Sequence, residues 1–430
     1  METIGKGHFT LKRIFEENWE RFVSSHRSDI TFSAAYNVWK VMNCREPNGL
    51  GYTTFACPDH PDQITHIPRS CKSRFCPVCA KIQVDKWVAD MNRLFPNCPY
   101  FHITFTVPSQ FRILLFEKRS LLNAVFSAGA RTLLSFLGEQ GILPAITAVL
   151  HTFGSDLKRH VHVHFIVSAG GLKLSGKAER FTRYIKRKAK NGRIKKKKVT
   201  VLVNKPNWVH WSFFPHKVLR KRYQNLLIEH LKERIQKELR SDAPDPDLMV
   251  FSEPSAMKGF FDDLKKEYKN GFYVHISKER KDLQMTVGYI GRYARRPPLS
   301  EVRIKNYTGE WITFEYKDYR NGGGKVLHTL KTIDFIGRLI RHIPPHYFNV
   351  IRHFGILASR VKKKYKEIAD CLLEPPPEVD EAPTWRERQT AFRGSDPLLC
   401  GICGRVMRFV SSRIPIPLWR VKERLQAAFS

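Results

Sequence analysis

Three histidines in alternation, His160, His162 and His164 in RHVHVHFIV, carry the spacing in this chain that speaks most directly of chemistry. Side chains on a strand alternate between faces, so all three project from one face, and adjacent ring nitrogens there can share a divalent cation without distorting the backbone. His151, on the strand expected just before them, is the third ligand, with His102 or His160 as substitutes. A second constellation is built on sulfur: Cys57-Pro-Asp-His60, then Cys71, Cys76 and Cys79 in CKSRFCPVC. Two tight turns, each offering two soft or borderline ligands, suit tetrahedral Zn²⁺, most simply as Cys57, His60, Cys76 and Cys79. Cys71 or His66 can replace one of these, and with Cys44 the candidates exceed four, which leaves room for a second ion. Such a closed site is structural, and its basic rim, Arg69, Lys72 and Arg74, is suited to contact DNA. Cys400-Gly-Ile-Cys403 has no evident second pair in the sequence. A third constellation is Tyr289 and Tyr293 in GYIGRYARR, four apart and so on one side of a helix. Alone, such a pair means packing; Arg292, Arg295 and Arg296 beside it bring phosphate-binding charge to the phenols.

These residues need elements to hold them. YFHITFTVPS alternates, with Phe101, Ile103, Phe105 and Val107 on one face and His102, Thr104 and Thr106 on the other, the mark of a half-buried strand. AITAVLHTFG and RHVHVHFIVSAGG read as two more strands, and the stretch between them and the first strand reads as one or two helices. Helices among antiparallel strands imply an α+β architecture. Residues 1–43 form an amphipathic helical segment, with Leu11, Ile14, Phe15, Trp19 and Phe22 at helical spacing. Residues 44–99 are the loop-rich zinc-binding, DNA-contact module, closed by the helix AKIQVDKWVADMNRLF, with a boundary near Pro99. Residues 100–300 are the catalytic domain with a basic insertion near 172–200, residues 301–362 extend it by strand and helix, and residues 363–430 are a Pro- and acid-rich linker and a tail.

Charge bounds the partner. With 74 Lys and Arg against 40 Asp and Glu, the 430 residues carry a net +34. On a chain with 42% apolar residues, that excess calls for a polyanion, and nucleic acid is the default. Between Arg180 and Lys198 eleven of nineteen residues are basic, including Arg183, Lys186, Arg187 and Lys188, and none is acidic. This exposed loop or hairpin repels itself unless an anion neutralises it. No apolar run approaches the roughly 20 residues of a spanning helix, and the start has no signal-peptide stretch, so a membrane partner is not expected. Six of the nine cysteines fall between Cys44 and Cys98 at ligand-like spacings, which points to metal in a reducing compartment, not to disulfides.

Together the motifs SCKSRFCPVCA, YFHITFTVP, LHTFGSDLKRHVHVHFIVSAGG, YIGRYARR, FEYKDY and HYFNVIRHFGILA resemble the HUH rolling-circle transposases, specifically those of the insertion sequence ninety-one type. The likeness spans most of the chain; it departs at His60, where the family usually has Cys. It implies an HUH-type antiparallel sheet flanked by helices and a cation, Mg²⁺ or Mn²⁺, at His162 and His164. It also implies attack by Tyr289 or Tyr293 on single-stranded DNA through a 5′-phosphotyrosine, and recognition of insertion-sequence ends. Related conjugative relaxases resemble this chain in placing a third ligand one strand earlier, which favours His151 over His160. The resemblance implies a bacterial, cytoplasmic, nucleoid-associated protein. A replication initiator or relaxase, and a non-catalytic zinc-dependent DNA-binding protein, are the competing readings.

Overall fold

The computed structural model describes residues 9–117, 121–188, 194–282, 287–288, 291, 297–318, 321–375 and 383–429; for 112–113, 116–117, 174–188, 194–197, 199–206 and 392 it describes the backbone alone. In chain order the first elements are α1 (Leu11–His26), α2 (Phe32–Met42), β1 (Tyr52–Ala56), β2 (Ile64–Pro68) and α3 (Pro77–Leu94). The central part follows with β3 (Tyr100–Thr106), α4 (Ser109–Glu117), α5 (Leu122–Gly138), β4 (Ile142–Phe153), β5 (Arg159–Lys188), β6 (Ile194–His210), α6 (His216–Leu239), α7 (Pro254–Glu267) and β7 (Val274–Ile276). After these come β8 (Ile304–Tyr307), β9 (Trp311–Asp318), β10 (Gly324–Lys331), α8 (Thr332–Ile340), β11 (Ile351–Gly355), α9 (Lys362–Leu372), α10 (Trp385–Arg393), β12 (Arg408–Arg413) and α11 (Leu418–Phe429). The α+β expectation holds.

The main sheet has the order β11-β4-β5-β3-β7, with β6 paired to the outer half of β5, and every pairing in it is antiparallel. Alternation divides it into two faces. Phe101, Ile103 and Phe105 of β3, Ile146, Ala148 and Leu150 of β4, and Val161, Val163, Phe165 and Val167 of β5 form a core with α5, α6 and α7. Helix α5 lies close because Gly129 faces the Phe165 ring: a Cβ there would sit 2.6 Å from it. The opposite face carries Tyr100, Ala145, Val149 and Ile166, packed with Trp87 and Met91 of α3, Ile368 and Ala369 of α9, and Val287. The histidines belong to this second face, since His151 is two residues from Val149 and His164 two from Ile166.

A separate core does not respect the expected division at residue 43 or at residue 300. Leu11, Ile14, Phe15 and Phe22 of α1 and Val38 of α2 pack with Ile304, Ile312, Phe314, Phe335 and Ile336, and with Cys44, Cys71, Cys76 and Cys79. Residues 301–343 therefore join the N-terminal helices, whereas β11 of the expected extension returns to the main sheet beside β4. α1 starts cleanly because the Thr10 hydroxyl accepts from the Arg13 N–H. The tail expected after the linker is folded too: β12 pairs antiparallel with β1, giving a three-stranded sheet β12-β1-β2, and α11 packs on α2. Composition hid this, because β12 is exposed along its whole length and lacks the apolar alternation that marks a strand.

Candidate metal centres

The residues either side of His162 and His164 build the first centre. β5 is the middle strand, flanked by β4 and β3, and its register sets His162 opposite His151 on one side and Thr106 on the other. His164 lies opposite Thr104. Donor atoms of His151, His162 and His164 all lie within 4.8 Å of one another. Ring centroids are 5.3 Å apart for His151 and His162, and 4.7 Å for each of the other two pairs.

Neighbours fix how the rings are turned. Nδ1 of His162 donates to the His160 carbonyl at 2.9 Å, which leaves the lone pair of this imidazole on Nε2. His164 is held through Nδ1 by His102 Nε2 at 2.8 Å and Thr104 Oγ1 at 3.1 Å. His102 thus stands behind the centre, and His160 lies beside His162 with ring centroids 4.8 Å apart. Burial, and then the neighbouring imidazoles, hold His162 and His164 well below the usual histidine range. Three imidazoles on a rigid sheet are a donor set for a divalent transition metal, and cation binding need not first displace a proton from His162 or His164 at neutral pH.

Burial also pushes His102 down to about 4. A histidine whose folded value lies below its unfolded value near 6.5 contributes stability above pH 6.5 and loses it as pH falls toward 4. In metal-free protein the thermal midpoint should therefore drop across that window, and His102→Asn should flatten the drop. Circular dichroism melts at half-unit pH steps measure this; equal slopes for both proteins would refute it.

The cysteines do not assemble as the sequence suggested. The simplest expected set, Cys57, His60, Cys76 and Cys79, is divided between two places. Cys71, Cys76 and Cys79 join Cys44, with Cys44–Cys79, Cys71–Cys79 and Cys44–Cys76 sulfur separations of 3.7, 3.5 and 3.8 Å. Cys57 and His60 instead join Cys400 and Cys403. The reason is the β1–β2 hairpin, which carries Cys57 and His60 at its turn, whereas its open end returns the chain through Arg69 to Arg45 by a backbone hydrogen bond of 3.0 Å. Cys44 and Cys71 are thereby brought together at that end. His66, the alternative ligand, hydrogen-bonds Thr54 Oγ1 at 3.1 Å and belongs to neither group.

Local backbone prepares the four-cysteine site. Arg45 and Lys72, just after Cys44 and Cys71, take left-handed φ of 64° and 52°. These turns aim N–H groups at sulfur: Cys71 N to Cys44 Sγ at 3.5 Å and Ser73 N to Cys71 Sγ at 3.4 Å. Cys76 caps α3 with Pro77 in its first turn, so Cys76 and Cys79 sit at a helix N-terminus that favours thiolate. In a tetrahedron of Zn–S bonds near 2.3 Å the sulfurs lie about 3.8 Å apart, and the observed separations match. The site fits Zn²⁺. Among the expected DNA-contacting rim, Arg69 and Lys72 are exposed and Arg74 is half-buried over the Phe75 ring.

Tyr289, Tyr293, Arg292, Arg295 and Arg296 lie outside the described residues. Their neighbours Val287, Gly288 and Gly291 have helical backbone, and a Cβ on Gly291 would sit 2.4 Å from Val88 of α3. Val287 is buried with Val149 and Ile166, on the sheet face that carries the histidines. Arg180, Arg183, Lys186, Arg187 and Lys188 lie on the outer part of β5, where the register sets Lys186 opposite Lys196 and Arg187 opposite Lys195. The residues that sequence reading left unassigned are Cys400 and Cys403, whose signal was the two-residue spacing, and His102 as the orienting partner of His164. No helix among the described residues is long and apolar enough to cross a membrane.

Comparison with known proteins bears on the whole chain. A family model described as "Putative transposase" matches residues 145–365, and one described as "Transposase zinc-binding domain" matches residues 14–107. The transposase for insertion sequence element IS801 of Pseudomonas savastanoi pv. phaseolicola is 30% identical over 383 residues, 87% of this chain and 83% of that protein. "Putative transposase y4qJ" of Sinorhizobium fredii (strain NBRC 101917 / NGR234) is 27% identical over 403 residues, 91% of this chain and 92% of the relative. No solved structure matches the chain.

Proposed function

Because this chain belongs to the transposases of the insertion sequence ninety-one type, we propose that it nicks and rejoins single-stranded DNA by tyrosine transesterification, moving its element by a rolling-circle route. The observation that carries this reading is the convergence of His151, His162 and His164 on one sheet face. These three would hold Mg²⁺ or Mn²⁺, which supplies positive charge at the non-bridging oxygens of a scissile phosphate. Imidazole softness favours Mn²⁺ of the two. Tyr289 or Tyr293 gives up its phenolic proton and attacks phosphorus; the bond to the 3′ oxygen breaks, leaving a free 3′ hydroxyl and a phosphotyrosine on the 5′ end. No water is consumed, so the ester stays available for rejoining. A second phenol four positions along the sequence allows a second strand to be cut while the first remains esterified. The DNA would be the insertion-sequence ends, met by the zinc module and by Arg292, Arg295 and Arg296.

The test is a labelled single strand carrying an element end, incubated with Mn²⁺ and run under denaturing conditions. A protein–DNA adduct that survives is expected, and Tyr289→Phe with Tyr293→Phe should remove it. Trapping by the double Phe variant would sink the nucleophile assignment, and no adduct from the parent on any element end would favour the simple DNA-binding reading.

The basic β5–β6 ribbon supports electrostatic capture. Like charges in cross-strand register cost stability, and phosphates would offset that cost. Deleting residues 180–198 should flatten the dependence of log K on log salt, each lost phosphate contact on a single strand reducing the slope by about 0.7. An unchanged slope in a filter-binding titration would exclude phosphate contact by this segment.

A further inference from the structure

We propose that Cys57, His60, Cys400 and Cys403 hold a second Zn²⁺ that fastens the C-terminal segment to the N-terminal module. The two halves of this site come from opposite ends of the chain, 346 positions apart between Cys57 and Cys403. Cys57 Sγ lies 3.5 Å from Cys403 Sγ and 3.7 Å from His60 Nδ1, and Cys400 Sγ lies 3.8 Å from His60 Nδ1. Edges of about 3.6–3.8 Å are what one tetrahedral Zn²⁺ requires with Zn–S near 2.3 Å and Zn–N near 2.0–2.1 Å. A disulfide would need sulfurs about 2.05 Å apart, which the Cys57–Cys403 pair does not approach.

The surroundings are those of a structural site. Cys57 ends the β1 arm of its hairpin, and its N–H donates to the Gln63 carbonyl at 3.1 Å while the Gln63 N–H donates to the His60 carbonyl at 2.9 Å, closing the first knuckle. The second knuckle is closed by the Gly404 N–H to the Cys400 carbonyl and the Cys400 N–H to the Arg405 carbonyl, both 2.9 Å, with Gly404 at φ 68°. Gly at that left-handed position avoids the Cβ cost of the turn. Arg405 reaches across to Asp59 at 2.9 Å. Among the described residues the apolar cluster here consists of buried Cys57, Cys400 and Met407 with half-buried Phe55 beside them, too small to hold the β1–β12 pairing alone. A metal ion supplies the missing cohesion.

The count of bound zinc tests this. Full-length protein carrying His162→Ala and His164→Ala, which removes the histidine centre from the count, should hold two zinc ions per chain by plasma mass spectrometry. Adding Cys400→Ser with Cys403→Ser should leave one and expose the segment after Pro383 to limited proteolysis. Cys403→His, which keeps a ligand in place, should restore two. One ion in the parent, or two in the double Ser variant, overturns the proposal. Should the double Ser variant misfold and lose both, the Cys403→His variant decides: two ions uphold the site, fewer reject it.

Discussion

His162→Ala or His164→Ala should lower the rate of covalent adduct formation by at least about a hundredfold while leaving affinity for single-stranded DNA nearly unchanged. The size follows from what each ring does: removing one of three donors dismantles a site whose outer-shell partners alone are typically worth 10–100-fold in metal affinity or activity. Binding should persist because the charge that captures DNA is spread over the outer part of β5, over β6 and over the zinc module, and is not carried by His162 or His164. His102→Ala should act more mildly, since it orients His164 through Nδ1 and is outside the converging group. Single-turnover adduct formation against Mn²⁺ concentration separates the cases: high Mn²⁺ should partly rescue His102→Ala and should not rescue His162→Ala. Equal rates for parent and His162→Ala would discard the proposed centre.

Cys76→Ala should unfold or loosen the N-terminal body, with a loss of several kcal/mol and one zinc ion. Structural zinc contributes its binding free energy to folding, about 10–16 kcal/mol in isolated finger peptides, and part of that is at stake here. The four sulfurs are inside the same core as Leu11, Phe15, Phe335 and Ile336, so α1, α2 and α8 lose their common support together. Calorimetry should show one component of a multi-step transition moved down, with the main sheet melting as before. Cys57→Ala should differ from Cys76→Ala, because it touches only the small cluster around Cys400 and Met407. Identical melting curves for the two variants would favour the single mixed site suggested by spacing alone.

That contrast marks where the sequence is legible. Period-two alternation identified β3, β4 and β5 and the two faces of the sheet, because burial enforces register; it left His151, His102 and His160 open as the third ligand, and the resemblance favoured His151, which β4 sets opposite His162. Ligand type and short spacing identified Cys57, His60, Cys71, Cys76 and Cys79 as candidate metal ligands and left Cys400 and Cys403 unassigned. They did not say which cysteines share an ion, because that depends on a hairpin whose turn and open end lie at opposite sides, and on a strand arriving from the far end of the chain. The packing of residues 301–343 on α1 was equally illegible: amphipathic stripes announce that a face is buried and carry no address for its partner.

The pairing of β12 with β1 sets an order of events during synthesis. Some 350 residues separate the two strands, so at about 5–20 residues per second roughly 20–70 s pass between the emergence of one and the other. Through that interval β1 keeps one edge open, and the nascent chain carries an unfinished sheet even after its histidine strands have been made. A prematurely terminated product would never close it.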